Sequence, residues 1–108
     1  MLNDPQFVES SRAFGYRMIR EGGSTAEARI AYGFRLATGR KPTKAEVKVI
    51  EGVLKQQLAE FQNDQKAAEK FLSVGAWKAD SSCDTAELAA WTTIATMILN
   101  LDETVTKS

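Results

Sequence analysis

Residues Leu88 to Leu101 read LAAWTTIATMILNL, fourteen residues without a charged side chain in a chain of 108 where 26% are charged. Wound into a helix, Leu88, Trp91, Thr92, Ala95, Ile98 and Leu99 make one apolar face, and Ala90, Ile94, Met97 and Leu101 a second. Ala89, Thr93, Thr96 and Asn100 remain for water. A helix apolar over most of its circumference is central in a bundle, or is covered by something outside the chain. The stretch is shorter and richer in threonine than the about 20 predominantly apolar residues a bilayer span requires, so no membrane insertion is expected.

Working outward, the segment is entered through Asp84-Thr85-Ala86-Glu87, a capping oxygen followed three residues later by a glutamate. That pairing satisfies free amide donors and complements the helix dipole. Ser24-Thr25-Ala26-Glu27 and Thr43-Lys44-Ala45-Glu46 repeat the chemistry at unequal spacing, which reads as three local caps rather than a repeat array. Asp4-Pro5 opens a first helix expected to reach about Glu21, where Gly22-Gly23 ends it. Its inward stripe is Phe7, Ser11, Phe14 and Met18, widened by Val8, Gly15 and Ile19.

A second helix, Thr25 to Thr38, turns Ala26, Ile30, Gly33, Phe34 and Ala37 inward and stops at Gly39. The tight Gly39–Thr43 connection makes it an antiparallel neighbour of a third helix, about Lys44 to Gln62, with the stripe Val47, Ile50, Leu54, Leu58 and Phe61. A short fourth helix is capped at Asn63-Asp64, reaches Leu72 and closes near Gly75, and Ala76–Cys83 is the one real loop. Gly15, Gly33 and Gly52 fall inside predicted helices, where each is about 1 kcal/mol worse than Ala, so close helix approach is expected. No alternating β-branched run or hairpin dipeptide argues for a strand. The prediction is an all-α, single-domain bundle of about five helices over residues 1–108.

Fourteen basic residues balance fourteen acidic ones, which disfavours nucleic acid and anionic membrane surfaces as partners. All six arginines lie in the first forty residues, which carry +2, and all eight lysines in the remainder, which carries −2. Arginine suits bidentate, partly buried carboxylate pairs, so internal pairing is the ordinary reading. An anion-binding surface made by Arg12, Arg17, Arg29 and Arg35 is the functional alternative. With no histidine, the Ser-His and Cys-His nucleophile systems, His-ligated zinc and a haem held by histidine are excluded. The lone Cys83 makes neither an internal disulfide nor a redox pair. It precedes an acidic cap, so an incidental thiol is expected. Asn100, Asp102 and Glu103 lack the ordered spacing of an oxygen-only cation site. Neither phosphate-binding glycine motif occurs. Trp77 and Trp91 remain, either as a core residue with a lid over it or as an aromatic pair able to hold a sugar or peptide. No catalytic, cofactor or metal residue is assigned, and no signal peptide opens the chain as given.

Leu2-Asn3-Asp4-Pro5-Gln6-Phe7-Val8 near the start and Leu99-Asn100-Leu101-Asp102-Glu103 with Val105-Thr106 near the end bracket the chain. Between them come Ala28-Arg29-Ile30, Phe34-Arg35-Leu36-Ala37, Gly39-Arg40 and Pro42-Thr43. In this order they resemble the C-terminal part of the PSD-one domain, a domain of unknown function found in planctomycete proteins that carry cytochrome c modules. The family pattern has an aromatic residue at the position of Thr104 and a basic residue shortly after, a role Lys107 fills. The resemblance supplies no catalytic residues. It implies the tail of a large, exported, multidomain bacterial protein, periplasmic or extracellular, with any haem in a separate module. The expected function is a non-catalytic helical module that docks on the preceding domains of its parent or on another protein. The alternative is one wall of a substrate or redox-partner site in that parent.

Overall fold

The computed structural model describes residues 5–72 and 84–107, with side-chain surroundings for 9–72 and 84–101. Five helices follow one another: α1 (Pro5–Glu21), α2 (Ala26–Thr38), α3 (Lys44–Asn63), α4 (Gln65–Leu72) and α5 (Thr85–Lys107). Among the described residues there is no strand. The all-α bundle expected from the sequence is the fold. The Ala76–Cys83 loop and the closure near Gly75 lie outside the described residues.

Local chemistry sets the helix ends. Thr43 Oγ1 accepts from the Glu46 amide at 3.1 Å while the Glu46 carboxylate accepts from the Thr43 amide at 2.8 Å, a complete capping box at the start of α3. Asp64 Oδ1 accepts from the Ala67 amide, and Asp84 Oδ2 from the Glu87 amide, each at 3.0 Å. At α2 the cap is Thr25 rather than Ser24: its Oγ1 accepts from the Ala28 amide at 3.1 Å. The third helical position is then Ala28, so no reciprocal box forms and Glu27 faces solvent. Gly39 ends α2 in the left-handed region, φ 79°, with its amide donating to the Arg35 carbonyl.

α5 is the centre. It packs against each of α1, α2, α3 and α4. The main core joins Met18 of α1, Ile30 and Phe34 of α2, and Val47, Ile50 and Leu54 of α3 to Ala90, Trp91, Ile94, Ala95 and Ile98 of α5. A second cluster seats Ala68 and Leu72 of α4 on Leu88 and Ala89. Ala89, expected to face water, is therefore fully buried, because the short α4 covers that side.

The threonines of α5 tolerate this position because their hydroxyls stay satisfied locally. Thr92 Oγ1 donates to the Leu88 carbonyl at 2.7 Å, Thr96 Oγ1 to the Thr92 carbonyl at 2.9 Å, and Thr93 Oγ1 to the Ala89 carbonyl at 3.2 Å. Of the two ways to cover an apolar helix, the chain uses its own helices over Leu88–Ile98, and Leu101 stays 43% exposed. The helix continues through Asn100 to Lys107.

Two of the three helical glycines mark close approach. A Cβ on Gly15 would meet the backbone of Trp91 and Thr92 at about 3 Å, and one on Gly33 would run into the Met18 side chain. Gly52 faces open space, so the expected contact there is absent.

Candidate functional site

The four arginines named as anion contacts have different fates. Arg12 is buried on α1, and its Nη1 donates to the Leu72 carbonyl at 2.7 Å. It thereby places a cation on the last carbonyl of α4, where the helix dipole is negative. Burial lowers its pKa from the usual arginine value, and Glu9 opposes that shift. Arg17 is exposed and donates to Glu21 and to the Tyr32 hydroxyl, each at 3.3 Å. The Tyr32 hydroxyl donates to the same Glu21 carboxylate, tying the end of α1 to α2. These hydrogen bonds, Tyr32 first and then Arg17, pull the Glu21 pKa below its usual value.

Arg29 joins three segments. Its Nε donates to the Gly23 carbonyl at 3.0 Å, its Nη1 pairs with Glu87 at 3.1 Å, and its guanidinium lies 5.8 Å from the centroid of Trp91. Glu87, placed by the sequence as a capping partner for Asp84, thus also braces α2 against the start of α5. Three of the four arginines are engaged within the chain. Arg35 alone faces solvent without an ion pair among the described residues.

Trp91 is 2% exposed and belongs to the core, so it cannot stack on a ligand at the surface. Trp77 lies outside the described residues, as does Cys83. Among the described residues no group of three or more acidic or sulfur side chains is placed to hold a metal ion. None of the described helices is long and apolar enough to cross a membrane.

A concave surface lies between α2 and α3. It is an open groove of about 1280 Å³, larger than the usual small-molecule pocket of roughly 300–1,000 Å³. Leu36, 48% exposed, and Val47 supply apolar surface, and Arg35, Lys41, Lys44 and Lys48 supply cations. Glu27 and Glu51 supply its carboxylates. The groove is firm at one end because Arg40 grips Glu46 with two bonds of 2.9 Å and lies 4.7 Å from the Phe34 ring centroid. With Arg40 and the Thr43 amide both on it, the Glu46 carboxyl is held down at about 2.

The sequence pattern of α3 singled out its apolar stripe and not this groove. The available signal was that Lys44, Lys48 and Glu51 recur at helical spacing beside the core residue Val47, while Leu36 falls off the inward stripe of α2. Compared with known proteins, the chain matches no family model, no curated protein and no solved structure.

Proposed function

We propose that this chain is a non-catalytic helical module that docks on another polypeptide, either the preceding part of a longer parent protein or a separate partner. The observation that carries the reading is the α2–α3 groove, where an apolar side chain and four cations with no ion pair among the described residues face solvent together. The uncharged helix first suggested a docking face of its own. Its flanks over Leu88–Ile98 are filled by α1 to α4, so the proposed contact moves to α2 and α3.

The resemblance of the two chain ends to the PSD-one domain supports a further proposal about context. The parent is an exported multidomain bacterial protein, and any haem belongs to a separate cytochrome c module. Amide hydrogen exchange of residues 1–108 alone, and of the same residues within the longer protein, tests docking. At least about tenfold slower exchange in α2 and α3 is expected, in the manner of amides whose local opening is suppressed. Unaltered exchange throughout the chain sinks the proposal.

A further inference from the structure

The groove has a charge balance that narrows its occupant. α2 and α3 are joined by the short Gly39–Thr43 connection and run antiparallel, so chain order places Arg35, Lys41, Lys44 and Lys48 towards the connection. Glu27 lies towards the other end, and Glu51 stands about one turn beyond Lys48 on α3. Four cations stand against two carboxylates, and none of the six makes an ion pair among the described residues. A second copy docked groove to groove would bring the same excess of positive charge to the interface and leave it uncompensated. Nucleic acid would match the cations and leave the Leu36 surface wet, and the chain has no net charge to draw it. A segment with carboxylates and large apolar side chains satisfies both halves of the surface.

We propose that the α2–α3 groove receives an acidic amphipathic segment of another polypeptide, its apolar side chains against Leu36 and its carboxylates among Arg35, Lys41, Lys44 and Lys48. This names the partner chemistry of the docking surface above and rests on that reading. The recognised side chains project from two helices and from the connection between them, which the Arg40–Glu46 pair ties to α3, so the surface is formed before binding.

Selection of a phage-displayed random peptide library on the intact 108-residue chain tests the assignment. Affinities of enriched peptides are then measured by fluorescence anisotropy at low and high salt, and their contacts are mapped by amide chemical shifts. Enriched peptides should combine Asp or Glu with large apolar residues, shift amides within residues 27–51, and weaken as salt rises. The Lys44→Glu/Lys48→Glu and Leu36→Ala variants should each lose about tenfold or more in affinity. All three positions are exposed, so circular dichroism and Tm should match the parent chain.

No enrichment, enrichment without acidic residues, or affinity indifferent to both variants overturns the proposal. Self-association abolished by the same variants overturns it in favour of a second copy. Preference for phosphatidylglycerol vesicles over every peptide overturns it in favour of a lipid surface. Shifts confined to another face remove the groove assignment while leaving the docking module standing, whereas the exchange comparison in the longer protein fails or succeeds independently.

Discussion

Gly15 and Gly52 both occupy helix interiors, and their surroundings give substitutions of opposite sign. At Gly15 the atoms in the way are backbone atoms of α5, which cannot rotate aside. Gly15→Ala should therefore cost about 1–3 kcal/mol in urea unfolding, the range for overpacking, despite the better propensity of alanine. Gly52→Ala meets nothing and should stabilise by up to about 1 kcal/mol. Ser11 offers a second contrast. Its hydroxyl is fully buried without a hydrogen-bond partner among the described residues. Removing an unsatisfied polar group relieves a desolvation cost, so Ser11→Ala should raise stability by about 1 kcal/mol, and a loss of that size would show that the hydroxyl has a partner in solution. The sequence announced three glycines in helices with equal force. Only the facing element separates a helix contact from open solvent, and that information is not local.

The helix caps were legible because their chemistry is confined to four residues: Thr43 with Glu46, Asp64 and Asp84 act where spacing put them. The slip from Ser24 to Thr25 at α2 reflects two adjacent hydroxyls that serve equally well in sequence, and backbone conformation at Thr25 decides between them. What no local pattern gives is the second task of a capping glutamate. Glu46 binds Arg40 as well as its cap, and that pair ties the α2–α3 connection to α3 while Arg40 lies over the Phe34 ring of α2. Its carboxyl pKa is depressed in the folded state to about 2, so this contribution is complete above the ordinary carboxylate range and is lost as pH falls from there towards about 2. In acid titrations followed by circular dichroism, Glu46→Gln should flatten the fall in stability over that window and be less stable than the parent at neutral pH. At α4, Arg12→Met should cost about 1.5–3 kcal/mol, the worth of a hydrogen bond from a charged group, because the Leu72 carbonyl loses its donor.

For the whole molecule, one unbroken uncharged stretch told most of the story. A radius of gyration of 13.1 Å is that of a compact chain of about this length, and α5 is the element its helices share. Trp91 sits where α1, α2 and α5 meet, with the Gly15 backbone approaching its carbonyl. Trp91→Ala should therefore lower unfolding free energy by about 3–5 kcal/mol, and a loss under about 1 kcal/mol would contradict its core placement. The candidate site was far less legible than the fold. Its residues lie on two helices and a connection, and their apolar and basic parts look like ordinary solvent-facing positions until α2 and α3 are set side by side. The central place of α5 also has a consequence in time. It leaves the ribosome after α1 to α4, so four amphipathic helices emerge before the surface they share exists. Until then their inner faces have only each other, and the nascent chain holds exposed apolar surface of the kind chaperones bind. This protein acquires its centre last.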